Sequence, residues 1–315
     1  MISKTLESPP RRRAASSHLE LAQPSQGFQL VASTQVKTTK KVILGLTLLI
    51  TMNTTNPLRA GDVNEAQLNF LPNETIFHNL VGDPREPQNS LIAQVDQGRF
   101  EGSIGKFIEL LQWIPGDGSR WGWGIEGDSF IELDSLGGGV FPERVSDWYL
   151  GTYFSEKTGN LSHRLEYLHV SSHLGDELFD QYERFIYTRE SFRYTLSYYP
   201  LADQIRVYGG LGYYPHMAPD DNRLFAHLGA EIYTQPGAFL FGTIGQGYFS
   251  YDLKVKGEAG GVANQQFEWG LQWKGTPESN SAVRLALIYF NGNSQYGQFY
   301  LFPENHWSLG IFFDP

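Results

Sequence analysis

Large apolar and polar side chains alternate along much of the chain, and this pattern predicts β-strands with one apolar and one polar face. In 264–274, the large apolar side chains fall on odd positions and the charged side chains on even positions. The same period of two runs through 120–133, 184–199, 223–233 and 305–313. Strands of about 9–11 residues are long enough to cross a bilayer when they are tilted.

Continuing this pattern gives twelve strands and a regular order of connections. We predict strands at 89–95, 99–112, 120–133, 147–155, 161–171, 184–199, 204–214, 223–233, 238–250, 264–274, 282–291 and 305–313. The connections after the third, fifth, ninth and eleventh strands are long, at 134–146, 172–183, 251–263 and 292–304. The connections after the even-numbered strands are short. The connection after the seventh strand is intermediate in length, and the connection after the first strand does not follow this order.

This sorting of connections favours one of two folds. A soluble β-sandwich shows the same alternation, but it has no reason to place short turns at one end and long loops at the other. We therefore predict an all-β fold, an antiparallel transmembrane barrel of the outer-membrane type with about twelve strands, short periplasmic turns and longer extracellular loops. The even number of strands brings both termini to the periplasmic side.

The polar face of the predicted strands carries charges of both signs. The inward-pointing residues are Glu126, Asp128, Glu132, Arg164, Glu166, Arg189, Arg193, Arg206, Glu231, Glu268, Lys274 and Arg284. A barrel of about twelve strands is narrow, so such side chains can pair with one another and fill it. We expect a filled or constricted lumen, and a selectivity filter is the alternative.

The first sixty residues differ from the rest. Three lysines between positions 37 and 41 precede an apolar run at 42–52, which is the order of a secretory signal. That run is shorter than the ~20 residues of a membrane helix, although an anchoring helix is the alternative. We predict an extended basic region and signal peptide in 1–60, cleaved after Ala60, an irregular periplasmic lead-in at 61–88, and the barrel at 89–315.

Composition excludes several kinds of protein. The chain has no cysteine, which rules out a disulfide scaffold and thiolate metal sites. The first sixty residues hold eight Lys/Arg and two Asp/Glu, so their removal changes the net charge from -10 to -16. So acidic a chain is a poor candidate for binding nucleic acid. The glycines at 209, 210 and 212 precede no helical pattern, so we expect no nucleotide cofactor.

Four motifs resemble those of a known family: DPREP (Asp83–Pro87), HVSSHLGDELF (His169–Phe179), YGGLGY (Tyr208–Tyr213) and YFNGNSQYGQFY (Tyr289–Tyr300). Together they resemble DUF1207, a bacterial family of unknown function, over about residues 68–315. The resemblance implies a secreted outer-membrane-type barrel, and it implies no substrate or activity.

One of these motifs holds a candidate catalytic pair. His169 and Ser171 are two apart on a predicted strand, so they share a face, which the parity of Glu166 places on the outside. The spacing is similar to the His-x-Ser pair of outer-membrane phospholipase A, which calcium assists. Asp176 and Glu177 could orient the histidine or bind a cation. This reading predicts a lipid ester hydrolase with no other cofactor.

The motif also departs from that phospholipase. The serine is followed here by Ser172 and His173 instead of asparagine and glycine, and the orienting asparagine has no match, although Glu183 lies near its place. No oxyanion donor is identifiable. Histidines and serines at a strand end also close loops through hydrogen bonds, which is the structural alternative. Metal or ligand binding by His169, His173, Asp176 and Glu177 is a third interpretation.

Three functions remain open. The first is a structural or small-solute envelope protein with a filled lumen, the second is the lipid esterase, and the third is an adhesion protein that binds through its long loops. We expect export through the inner membrane to the outer membrane and contact with its lipids.

Overall fold

The computed structural model describes residues 66–136, 139–178, 182–201, 204–238, 244–274 and 282–314. The predicted signal peptide and its cleavage site, Phe179 of the histidine motif and the turn at 275–281 lie outside these residues.

Within the described residues, fourteen strands form one antiparallel sheet. They are β1 (Gln67–Phe70), β2 (Asn89–Gln94), β3 (Arg99–Ile114), β4 (Ser119–Asp134), β5 (Glu143–Thr158), β6 (Leu161–Leu174), β7 (Tyr187–Leu201), β8 (Ile205–Ala218), β9 (Leu224–Tyr233), β10 (Gly237–Ala238), β11 (Ile244–Lys256), β12 (Ala263–Lys274), β13 (Ala282–Asn293) and β14 (Pro303–Asp314). In the same part of the chain, three short 3-10 turns cover Asp176–Leu178, Glu258–Gly260 and Gly297–Phe299. None of the helical segments in this part of the chain is long and apolar enough to cross a membrane.

Twelve of these strands close into a barrel. The order runs β3, β2, β14, β13, β12, β11, β9, β8, β7, β6, β5, β4, and pairing between β4 and β3 completes the circle. The predicted fold class, a closed twelve-stranded antiparallel barrel, is therefore confirmed. The short strands β1 and β10 add to the edges of β3 and β11.

The strands define two ends of the barrel. Asn89 begins β2 and pairs with Phe313 near the end of β14, so both termini of the barrel lie at the same end, which we call the terminal end. The opposite end, which we call the loop end, carries the connections at 135–142, 175–186 and 294–302.

One predicted strand is misplaced. We predicted 238–250, whereas β11 runs from Ile244 to Lys256, so the loop expected at 251–263 shrinks to the six residues 257–262. The added part of the strand carries the charged residues Asp252, Lys254 and Lys256. They continue the strand because Asp252 and Lys254 point inward and find polar partners inside the barrel.

The two faces of the wall differ as the alternation predicts. Large apolar side chains such as Leu165, Leu285 and Leu287 are exposed on the outside. The charged residues with inward parity are buried, namely Glu126, Asp128, Glu132, Arg164, Glu166, Arg189, Arg193, Arg206, Glu231, Glu268 and Arg284. Lys274, at the terminal end of β12, is half-buried.

The segment before β2 lies inside the barrel. We call residues 76–88 the plug. Ile76, Phe77 and Leu80 are each 1% exposed, and Phe77 and Leu80 pack with the inward-facing Tyr208 of β8. The part of the predicted lead-in from Ile76 onward thus lies in the lumen.

A loop closes over the plug from the other side. In the 294–302 loop, Tyr296 and Phe299 are buried in an apolar cluster at the loop end, against Phe130, Val145 and Leu174. The backbone N–H of Gly297 donates to Asp147 Oδ2 at 3.0 Å. A side chain at position 297 would lie 2.6 Å from the Cβ of Ser172, so this close approach requires glycine. These residues belong to the motif Tyr289–Tyr300.

Candidate functional site: the charged lumen

The tip of the plug is a tight turn built from the motif Asp83–Pro87. The backbone N–H of Arg85 donates to Asp83 Oδ1 at 2.8 Å, and the N–H of Glu86 donates to the Asp83 carbonyl at 3.2 Å. Aspartate followed by proline favours such turns, because the carboxylate caps the backbone and the ring fixes φ. The turn points Asp83 and Glu86 into the barrel wall.

Glu86 lies between two arginines of the wall. Arg164 of β6 donates to Glu86 Oε2 at 3.0 Å and also contacts its other oxygen, and Arg193 of β7 donates to Oε1 at 3.0 Å. Glu166 accepts from Arg193 Nε at 2.6 Å. Glu86 and Arg164 are each at most 2% exposed. Charges this deeply buried are stable only when they are paired and hydrogen-bonded.

Asp83 pairs with the other side of the lumen. It accepts from Arg193 Nη1 at 3.1 Å and contacts the ammonium group of Lys254 on β11. Burial by itself raises the pKa of Asp83, but the nearby Lys254 and Arg193 lower it by more. The net pKa is well below the usual value, so the carboxylate is charged at neutral pH.

Arg85 links the plug to the outer loop. Its guanidinium lies 3.3 Å from a carboxylate oxygen of Glu101 and stacks on the rings of Phe130 and Tyr296, at 4.4 Å and 4.3 Å. The Tyr296 hydroxyl donates to the same Glu101 at 2.6 Å. Burial lowers the pKa of Arg85, but the charge of Glu101 raises it further, so its pKa is above the usual value.

The plug backbone is also held by the wall. Glu231 accepts from the N–H of Val81 at 2.8 Å, and Asp128 accepts from the N–H of Gln88 at 2.9 Å. Arg206 donates to the carbonyls of His78 and Asn79. The charged residues that the alternation pattern predicts inside the barrel therefore bind the plug. The alternation pattern does not predict the plug's position in the lumen.

One group in the lumen has the composition of a metal site. Potential ligand atoms of Asp83, His227 and Asp252 lie within 4.8 Å of one another, and they are the one such group among the described residues. Asp83 already forms ion pairs with two cations, Arg193 and Lys254. The Tyr208 hydroxyl donates to Asp252 at 2.8 Å, and His227 Nε2 lies 3.1 Å from the hydroxyl of Thr195. The arrangement is that of a polar network more than of a metal site.

The predicted catalytic pair lies elsewhere, on the outer face near the loop end. His169 and Ser171 both face outward from β6. His169 Nδ1 lies 2.6 Å from Glu190 Oε1 on β7, and the Tyr167 hydroxyl donates to the other oxygen of Glu190 at 2.5 Å. In the described part of the chain, no hydrogen bond joins His169 to Ser171.

The other predicted site residues lie apart from this histidine. Asp176 and Glu177 form the 3-10 turn that follows β6, and Glu183 lies in the connection to β7. Among the described hydrogen bonds, none joins these three carboxylates to His169, whose carboxylate partner is Glu190 instead. They also belong to no group of three potential metal ligands in the residues searched.

Glu190 escaped the sequence prediction although a signal for it exists. It lies 21 positions after His169 in sequence, and the register pairs the two residues directly across β6 and β7. Within its strand, Glu190 is a charged residue on the otherwise apolar parity of Phe192, Tyr194 and Leu196. A charged residue at one of the otherwise apolar positions of a strand indicates that a partner lies nearby.

A closed antiparallel barrel with an apolar outer surface and a charge-paired interior defines the class of membrane-type β-barrel proteins. The family model of DUF1207, described as a protein of unknown function, matches residues 50–313, and the chain belongs to this family.

Among the solved structures that match is the crystal structure of the β domain of the Bordetella autotransporter Brka. Its TM-score is 0.41 at 12% sequence identity, and the match covers 71% of this chain and 94% of that chain. No curated protein matches.

Proposed function

We propose that the protein is an outer-membrane barrel whose lumen is closed by its own plug, and that it serves the envelope as a structural or small-solute protein. The band of exposed apolar side chains on the outside supports a lipid environment. The acidic, cysteine-free chain and the common end of both barrel termini are also typical of outer-membrane barrels.

The observation that carries this proposal is the position of Glu86. Its carboxylate is buried between Arg164 and Arg193, which are held on two adjacent wall strands. Withdrawing the plug would leave Glu166 as the one carboxylate of the described residues within 4.0 Å of either guanidinium group, which is costly in a confined lumen. The plug is therefore a built part of the barrel, and it lies across the path that a solute would take.

Conductance in planar bilayers tests the closed lumen. We expect the intact protein to insert without large, stable conductance steps. The double variant Asp83→Asn, Glu86→Gln removes the charges that hold the plug, so it should open more often and with larger steps. Asp220→Asn is a matched control, because its carboxylate is exposed and pairs with Arg223 in a loop.

Two outcomes would contradict the proposal. Large, stable steps from the intact protein would show that the lumen is open. A double variant that inserts and remains as silent as the intact protein would show that these two carboxylates do not keep the lumen closed.

A second candidate function, a lipid esterase, is favoured by the His169–Glu190 contact. A carboxylate on Nδ1 leaves Nε2 free to act as a general base, and Ser171 lies on the same outward face. In such a reaction the serine hydroxyl attacks the ester carbonyl, its proton passes to Nε2 and then to the leaving alcohol, and water later hydrolyses the acyl-enzyme.

Release of fatty acid from phospholipid in detergent micelles, with and without calcium, tests this function. Ser171→Ala and Glu190→Gln should both abolish release. Ser172→Ala is the matched control. That neighbouring serine faces the lumen, where its hydroxyl accepts from the backbone N–H of Gln298, so it is not on the outer surface. Release that persists in Ser171→Ala would exclude this nucleophile.

A further inference from the structure

The barrel wall has a gap at the terminal end, beside β3. Strand β2 is short, and its residue Ser90 pairs with Ser103 of β3. Strand β3 continues beyond Ser103 to Ile114, and β1 covers its last four residues. On this side, residues 104–109 of β3 therefore have no neighbouring strand in the described part of the chain.

A cavity of about 630 Å³ fills this gap. Its lining includes the outward-facing Lys106, Ile108 and Phe313 together with the inward-facing Gln272 and Arg284. Because side chains of both faces line one cavity, it passes through the wall from the outer surface to the lumen below the plug.

The outer rim of this cavity is apolar except for the outward-facing Lys106. Ile104 is 77% exposed on β3, and Ile108 and Phe313 are exposed beside it. Outward side chains at this level of a membrane barrel contact acyl chains, so the rim meets the hydrocarbon region directly.

The cavity is lined by two lysines, one on each face of the wall, that have no carboxylate partner in the described residues. They are Lys106 and Lys274, and neither has a carboxylate within 4.0 Å in this part of the chain. Arg284 pairs with Asp314 and Glu268, and Glu86 pairs with Arg164. The Glu109 carboxylate accepts from the N–H of Ile76 and has no cation within 4.0 Å in the described residues. Glu74 is the remaining carboxylate of the lining.

We propose that this side opening binds a phospholipid from the surrounding leaflet. The phosphate headgroup lies between Lys106 and Lys274, and the acyl chains lie along Ile104, Ile108 and Phe313. This inference rests on the proposed membrane location. The plug forms the inner wall of the cavity through Leu80 and Glu86, so the bound lipid touches the segment that closes the lumen.

Binding can be measured by native mass spectrometry of the full protein in dodecyl maltoside with added phosphatidylglycerol. The double variant Lys106→Ala, Lys274→Ala should bind about tenfold more weakly, because each lysine near a phosphate contributes to binding. Lys157→Ala is the control, since this lysine lies in the last two residues of β5, at the same end of the barrel but outside the cavity. Equal affinity of the double variant and the intact protein would overturn the headgroup site.

Because the chain has no cysteine, a single introduced cysteine can carry a photoreactive benzophenone. In vesicles containing phosphatidylglycerol, Ile108→Cys should capture this lipid more efficiently than Leu287→Cys, which faces outward from β13 away from the gap. Equal capture at the two positions would mean that lipid contacts the opening no more than the rest of the outer surface, and it would overturn the proposal.

Two further outcomes separate this inference from the membrane proposal. Capture of the chain's own residues 61–66 at Ile108→Cys would show that a protein segment occupies the opening, and it would leave the membrane location intact. Capture of lipid at neither position would overturn both proposals together.

Discussion

Arg193 Nη2 lies 3.0 Å from Glu86 Oε1, and the two residues are 107 positions apart in the sequence. The same guanidinium also donates to Asp83 and Glu166. One arginine of the wall thus joins the two carboxylates of the plug to a carboxylate of the neighbouring strand. Because all four groups are buried, the loss of any one leaves the others without full compensation.

Glu86→Gln should lower the free energy of unfolding by about 3 kcal/mol, because it leaves buried arginine charge unpaired. Denaturant titration in detergent micelles, followed by intrinsic fluorescence, measures this change. Glu177→Gln is the control, since that carboxylate is exposed, and it should change stability by less than about 0.5 kcal/mol. Equal unfolding midpoints for the two variants would argue against a structural role of the Glu86 pair.

Acid should weaken the hold on the plug through Asp83. The folded pKa of this carboxyl is lowered by Lys254 and Arg193, so its stabilising contribution is complete above its unfolded pKa of about 3.9. That contribution is lost as the pH falls below about 4 toward the folded pKa. The contribution of Asp83 to the free energy of unfolding should therefore stay constant between pH 8 and pH 5, and it should decline below pH 4.

The variant Asp83→Asn isolates this effect. It has no carboxyl to protonate, so it should be less stable than the intact protein at pH 7 and should show a shallower decline below pH 4. Unfolding midpoints measured across the pH series compare the two proteins. Parallel curves would mean that other carboxyls produce the acid sensitivity.

Gly229→Ala should destabilise the barrel by about 1–3 kcal/mol through overpacking. Gly229 pairs with Tyr208 across β8 and β9, and an added methyl group would collide with the Tyr208 ring. Gly247→Ala is the matched control on β11, because the nearest atom to its added methyl group would be Thr234 Cγ2 at 3.5 Å. Thermal unfolding in detergent compares the two variants. Similar melting temperatures would contradict the predicted collision with the Tyr208 ring.

Spin labels at adjacent positions of β13 should report opposite environments. Leu287 faces outward and is exposed, whereas Ile288 is 3% exposed inside the barrel. In lipid vesicles a label at Leu287→Cys should collide readily with dissolved oxygen, and a label at Ile288→Cys should collide much less. Equal oxygen accessibility at both positions would argue against a lipid-facing outer surface.

Much of the barrel could be predicted because a strand has a side-chain period of two, which needs no knowledge of distant contacts. Arg164, Glu166 and Arg193 were placed inside by parity alone, and all three are buried. The error at β11 shows where this local rule fails. Lys254 lies in the connection that we predicted at 251–263, but the strand continues through it because Asp83 of the plug pairs with its ammonium group.

The candidate site was less accessible to the sequence. His169 and Ser171 could be placed on one outward face, because residues two apart share a face of a strand. The partner Glu190 could not be assigned, since its position opposite His169 depends on the register between β6 and β7. Asp176 and Glu177 are nearer in sequence, but the 3-10 turn removes them from the strand.

The barrel follows from the sequence, because alternation of apolar and polar side chains fixes which face of each strand points outward and which points into the lumen. The partners of the inward charges depend on tertiary contacts. The plug has no periodicity that reveals its destination. It enters the lumen because Asp83 and Glu86 meet Arg164, Arg193 and Lys254 there, and these contacts join residues 78 to 171 positions apart. Closure of the barrel brings these charges together, and no local pattern in the chain records their pairing.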